Sequence, residues 1–135
     1  MTELVREWVE KAEADVRTTE REVCVEEGPN WDAVCFHAQQ AVEKYLKAIL
    51  QQNNIPFPKV HDLAILLDMA LPMYPDWEEM RDPLEWLSSF AVEVRYLGEA
   101  ATKEDALQAV EIMRRCCFII RQALSDCNPG PRTGV

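Results

Sequence analysis

Apolar residues recur in steps of three and four between Trp31 and Leu50, at Trp31, Val34, Cys35, Ala38, Ala41, Val42, Tyr45, Leu46, Ile49 and Leu50. That spacing keeps one face of an α-helix apolar, and such a face must be covered by other helices. Asn30 is placed to cap the helix after Gly28-Pro29, and Asp32 puts a negative charge in its first turn, where the helix dipole favours it. The opposite face carries Gln39, Gln40, Glu43 and Lys47, with Glu43 four residues before Lys47 for an ion pair. The pattern predicts a helix that faces water on that side.

A second amphipathic helix is predicted over residues 3–27, from Val5, Trp8, Val9, Ala12, Val16 and Val23. Asp15 falls at the edge of its buried stripe, where a carboxylate needs hydrogen-bond or arginine partners, or serves a function. Residues 51–59 contain two asparagines and two prolines and read as a loop. A short helix follows on Leu63, Leu66, Leu67 and Leu71, capped by Asp62 or His61 and ended by Pro72 to Pro75. Asp82-Pro83 predicts the start of a further helix through Arg95-Tyr96-Leu97 to a stop at Gly98, with Leu84, Leu87, Ala91 and Val94 buried. Thr102 and Asp105 have the spacing of a capping box before a last helix whose core positions are Ala106, Val110, Met113, Cys117, Ile120 and Leu124.

No stretch alternates with period two, so the class is all-α: an antiparallel, up-and-down four-helix bundle with one additional short helix. The chain of 135 residues divides into a single helical domain over 1–127 and a flexible tail rich in proline and glycine over 128–135. Its apolar runs are shorter than the roughly 20 residues of a membrane span, and its beginning interleaves charge as a signal peptide does not. We therefore expect a cytoplasmic protein with no membrane association. Five cysteines, an odd number with no Cys-x-x-Cys spacing, read as buried free thiols.

The net charge of −10 disfavours a general phosphate-binding surface. It is uneven, with nine acids against four bases in residues 1–30 and eleven against three in residues 62–105. Arg114, Arg115 and Arg121 gather in the last helix as either a local anion site or a solvated face. No metal centre or cofactor is expected. Helical-bundle di-iron sites use Glu-x-x-His steps, whereas Val34 and Pro58 precede the two histidines, His37 and His61, by three places. The four glycines, Gly28, Gly98, Gly130 and Gly134, make no phosphate-cradling loop.

Candidate binding residues follow from position. His37 lies at the flank of the buried stripe, on the side of Ala41, Lys44 and Ala48, where small residues leave room for a second subunit. It is there either an interfacial hydrogen-bonder or a ligand and proton-transfer group. His61 ties down a loop, caps the next helix or does acid–base work. Arg95 either satisfies helix C-terminal carbonyls or, with Tyr96, lines a groove for phosphate or RNA backbone.

Four blocks in order carry a resemblance to a known family: Trp8 with AEADV at 12–16, CFHAQQAVEKYLKAIL at 35–50, VHDL at 60–63 and VRYL at 94–97. Over residues 4–125 the chain resembles the HEPN family of small helical proteins. The resemblance implies a bundle that is commonly a homodimer. It also implies a minimal nucleotidyltransferase partner, in a toxin–antitoxin-like module whose HEPN member is a metal-independent endoribonuclease with an Arg-x4-6-His motif. This sequence departs there, because residues 96–105 read YLGEAATKED and both histidines precede Arg95. The leading expectation is a non-catalytic HEPN-type module that pairs with a nucleotidyltransferase or holds a nucleotide or RNA phosphate near Arg95 and Tyr96, with Asp15, His37, Lys44 and His61 as further candidates. The alternatives are a ribonuclease toxin with a divergent site and a structural dimer without ligand.

Overall fold

The computed structural model describes residues 1–92 and 98–126. Among them are five α-helices and no strand: α1 (Glu3–Val23), α2 (Trp31–Gln52), α3 (Leu63–Ala70), α4 (Arg81–Ser88) and α5 (Lys103–Asp126). A 3-10 stretch, Pro75–Met80, runs directly into α4. The expectations for Val94, Arg95, Tyr96, Leu97, Cys127 and the tail lie outside the described residues.

Local chemistry sets most helix ends. Thr2 caps α1, its Oγ1 accepting from the Val5 N–H at 3.3 Å. The helix stops at Val23, four residues before the predicted 27, where Glu26, Glu27 and Gly28, the last at φ +63°, turn the chain. Glu22 then reaches forward to accept the Asn30 N–H at 2.8 Å. Asn30 caps α2 as predicted, through Ala33 N–H to Oδ1 at 3.0 Å. α2 runs two residues past Leu50, and its exit is made by Asn53 with Asn54 at φ +57°, a left-handed conformation asparagine tolerates. The predicted capping box of α5 is reciprocal: Asp105 N–H donates to Thr102 Oγ1 at 3.0 Å, and Thr102 N–H to Asp105 Oδ2 at 3.1 Å.

Of the two caps offered for α3 one is used, and the start of α4 differs from expectation. Asp62, not His61, caps α3, accepting the Ala64 N–H at 2.9 Å, while Ser88 Oγ accepts the Leu63 N–H at 2.7 Å from across the fold. α4 begins at Arg81 rather than after Asp82, because the preceding 3-10 stretch feeds it without a break and no side-chain cap is made. Pro83 sits within the first turn, where its missing N–H leaves no bond unmade. α4 ends at Ser88, and Phe90, not Ala91, completes its buried side.

Residue pairs across the interfaces give the helix directions. Trp8 meets Lys47, Glu13 meets Tyr45 and Glu22 meets Asn30, so α1 and α2 are antiparallel. Asp32 accepts from Ala101 N–H and Tyr45 from Arg121, so α5 runs parallel to α2, as an up-and-down order requires. α2 lies at the centre, packed against α1, α3, α4 and α5. Its Leu46, Ile49 and Leu50 are fully buried, each contributing about 2 kcal/mol of transfer free energy.

That central position overturns one expectation. The Gln39–Glu43–Lys47 face does not meet water: Gln39 is fully buried, and Glu43 and Lys47 are 3% and 7% exposed. Ala41 and Ala48 are likewise buried within the chain, so they leave no room there for a second subunit. Among the described cysteines Cys35, Cys116 and Cys117 are buried free thiols as expected, whereas Cys24, just past α1, is exposed.

Candidate functional site

Three of the sequence candidates converge at the edge between α1 and α2. The helical pattern of α1 brings Asp15 to the border of its buried stripe, and the seven-residue spacing of His37 and Lys44 places both on one side of α2. Asp15 Oδ1 lies 2.8 Å from His37 Nδ1, and Asp15 Oδ2 accepts from Lys44 Nζ at 2.5 Å. A carboxylate can only accept, so the imidazole proton of this bond sits on Nδ1 and Nε2 is left for another partner. Thr19 Oγ1 donates to the Asp15 carbonyl at 2.9 Å, and the Phe36 ring packs edge-on against the His37 ring at 5.1 Å. The edge stays open to solvent: the side chains are 27% exposed for His37, 24% for Lys44 and 11% for Asp15. One carboxylate thus orients two nitrogen groups that water and solutes can still reach.

His61 belongs to a different assembly. Its Nδ1 lies 3.1 Å from both Glu43 oxygens, and Glu43 also takes Lys47 Nζ at 2.9 Å and Gln39 Nε2 at 3.3 Å. Gln39 Nε2 donates to the His61 carbonyl at 2.9 Å, which fastens the segment before α3 onto α2. The Lys47 ammonium lies 5.5 Å from the centre of the Trp8 ring. Apart from the exposed His61 ring this network is closed, and its geometry is that of an internal fastening rather than an open site.

A third cluster was not legible as a site, since Tyr45 reads in sequence as one more core position. The Tyr45 hydroxyl donates to Glu13 Oε2 and accepts from Arg121 Nε at 3.0 Å, while Arg121 Nε also reaches Glu13 at 3.1 Å. Burial, and then the Glu13 carboxylate, push the phenol well above its ordinary range. These groups, with Val9 and Leu124, line a cleft of about 380 Å³. The three arginines of α5 each have a carboxylate: Arg114 forks onto Glu20 at 2.8 and 2.6 Å, Arg115 reaches Glu79 at 3.4 Å and Arg121 holds Glu13. They therefore lie on a solvated face whose charges are paired with carboxylates, not gathered into a local anion site. The Arg114 hydrogen bonds hold Glu20 below the usual carboxylate range.

Among the described residues no group of three or more histidine, cysteine or carboxylate side chains is arranged to hold a metal ion, and no helix is long and apolar enough to cross a membrane. The expected groove at Arg95 and Tyr96 lies outside the described residues.

The family model of the HEPN domain matches residues 5–123. The chain belongs to the HEPN family. Among solved structures it is similar to ST0689, an archaeal HEPN homologue, at a TM-score of 0.72 with 21% identity, covering 89% of this chain and 97% of that one. It is also similar to TT1696 from Thermus thermophilus, at a TM-score of 0.71 with 20% identity, covering 90% and 98%. No curated protein matches it. At these identities the likeness shows the HEPN fold. In this HEPN chain the Arg-x4-6-His spacing is missing, because the sequence has no histidine beyond His61.

Proposed function

We propose that this HEPN protein is a non-catalytic binding module that holds a phosphate group, of a nucleotide or of RNA, at the α1–α2 edge, and that it works beside a minimal nucleotidyltransferase in a toxin–antitoxin-like pair. The observation that carries the ligand reading is the Asp15–His37–Lys44 cluster, in which one carboxylate aims a lysine and an imidazole at a partly open edge. Lys44 has donors beyond the one given to Asp15, and a protonated His37 adds Nε2–H, so two cationic donors can share one phosphate. Lys11 is exposed one turn before Asp15 on α1, so a further cation stands on the same side of that helix. Family membership supports the pairing, and the missing histidine after Arg95 supports binding without cleavage.

One observation favours an enzyme as the second reading. An imidazole oriented by a carboxylate through Nδ1 presents Nε2 as a general base, which metal-free attack by a ribose 2′-OH requires. Titration calorimetry with a nucleoside monophosphate and with a short single-stranded RNA, alongside a cleavage assay in EDTA, separates the two. Binding without cleavage, weakened about tenfold (about 1.4 kcal/mol) by Lys44→Met and by His37→Ala, supports the module. Cleavage abolished by His37→Ala supports the enzyme, and ligand affinity lost only in Arg95→Ala moves the site away from the α1–α2 edge. Mass spectrometry of the natively purified complex tests the nucleotidyltransferase pairing.

A further inference from the structure

On the side of α1 away from Asp15, about 200° around the helix, Glu13 lines the cleft of about 380 Å³ that it shares with Val9, Tyr45, Arg121 and Leu124. At its base is the Tyr45 ring, only 1% exposed, with the Arg121 guanidinium carbon 5.5 Å from the ring centre. Glu13 and Arg121 stand nearer the solvent, their side chains 33% and 43% exposed. The Tyr45 hydroxyl accepts from Arg121 Nε at 3.0 Å and donates to Glu13 Oε2, and Arg121 Nε reaches that same oxygen at 3.1 Å. Among the described residues, then, the trio uses Nε of the guanidinium and Oε2 of the carboxylate. Nη1, Nη2 and Oε1 keep their hydrogen-bonding capacity for a further group. A cationic edge and an anionic edge thus lie side by side, both held by one buried hydroxyl and both next to the apolar Val9 and Leu124.

We infer that this cleft is a binding site for a small zwitterion with an apolar side chain, that is, an apolar α-amino acid. Charge decides the class. A lone anion gains from Arg121 and is repelled by Glu13, and a lone cation meets the reverse, so a ligand bearing both charges is the one attracted at both edges. The Arg121 fork suits a carboxylate, and Glu13 Oε1 accepts from an ammonium. These edges flank a contact of 3.1 Å, a span that an α-amino acid bridges because a single carbon separates its charged groups. The side chain of the ligand then lies against Val9 and Leu124, where leaving water adds to affinity. A volume of about 380 Å³ is at the small end for ligand clefts, as a molecule of this size requires. Tyr45 is a positioning residue, since it holds both charged groups from beneath. The site is independent of any ligand at the α1–α2 edge.

Titration calorimetry of the full chain with L-leucine tests it, alongside isocaproate and isoamylamine, which lack the amine and the carboxylate of leucine respectively. The native protein is expected to bind leucine with a dissociation constant on the order of 1 mM, and each single-charge analogue about tenfold more weakly. Glu13→Gln leaves the cationic edge alone and is expected to reverse that order, so that isocaproate binds more tightly than leucine. Arg121→Gln is expected to favour isoamylamine in the same way. A merely structural role for either residue does not invert a charge preference. Helical circular dichroism and the melting temperature identify a variant that fails to fold, and the other variant then carries the test. The Val9 and Leu124 methyl resonances of the native protein are expected to shift as leucine is added, which decides the site even if both variants unfold. The inference is overturned if leucine does not saturate the native protein by about 20 mM, or if both analogues bind as tightly as leucine. It is equally overturned if the folded variants keep the native order, or if saturation leaves the Val9 and Leu124 methyl signals unmoved.

Discussion

Glu43 and Lys47 form an ion pair at 2.9 Å with their side chains only 3% and 8% exposed. The Coulomb attraction gained there offsets the desolvation of both charges, so the pair matters mainly when it is broken. Lys47→Met leaves Glu43 with only Gln39, Gln40 and the exposed His61, and is expected to cost about 3 kcal/mol in urea unfolding. Glu43→Gln/Lys47→Met removes both charges while keeping their volume and is expected to recover most of that loss. A single-variant cost below about 1 kcal/mol would show that water reaches the pair.

Tyr45 predicts an alkaline limit. Its phenol proton is held more tightly in the folded state than in the unfolded chain, where it titrates near the ordinary value of 10.0. A group with a raised folded pKa contributes stability that is fully present below the unfolded pKa and is lost as pH climbs toward the folded one. Native stability is therefore expected to fall above pH 10, and Tyr45→Phe to flatten that slope while losing about 1–2 kcal/mol at neutral pH with the Glu13 and Arg121 hydrogen bonds. Denaturant midpoints for both proteins from pH 7 to 11 check this.

Thiol labelling is expected to be selective. Burial pushes the Cys116 thiol up to about 12 and Cys117 higher still, which withholds the reactive thiolate as well as access. In a Cys127→Ser chain at pH 8, Cys24 is expected to react first with an alkylating reagent, and Cys35, Cys116 and Cys117 only on unfolding. Peptide mapping after timed quenching reads the order.

The start of α3 depends on two side chains from different places. Asp62→Ala and Ser88→Ala are each expected to lower stability by about 1 kcal/mol, since each leaves a helix N–H without its oxygen. The pair should cost roughly the sum, because the two oxygens serve different amides. Thermal melts of the single and double variants measure it.

The long helices were legible in the sequence because α1, α2 and α5 each bury a stripe with a 3.6-residue period, and Asn30 and the Thr102–Asp105 box are local signals. What stayed hidden was whatever a distant segment decides. Glu43 and Lys47 four residues apart look alike on a wet surface and under a cover, and only the placement of Trp8 on α1 and of residues 57–62 makes them internal. Ala41 and Ala48 announce a close helix approach without naming the helix, which is α1 of the same chain. The meeting of Asp15, His37 and Lys44 was half legible, for each side chain reads as a border residue while their convergence depends on the antiparallel register of α1 and α2. Ser88 gives no hint in sequence of its reach to Leu63, and Tyr45 none of its bond to Glu13.

Because α2 is enclosed by segments that come both before and after it in the chain, neither the segment before it nor the segments after it cover its apolar faces alone. Removing α1 bares Tyr45 and strips the cover from Asp15's partners, and removing α5 opens the opposite flank, so any cut leaves the same apolar rod in water. Cooperative, all-or-none unfolding is therefore the expected behaviour, with coincident helical and tryptophan-fluorescence transitions in urea as its check. A ribosome-bound nascent chain has α1 at hand to cover one side of α2 but carries its α5-facing flank unprotected until the last helix has emerged, and that interval is when aggregation would compete with folding.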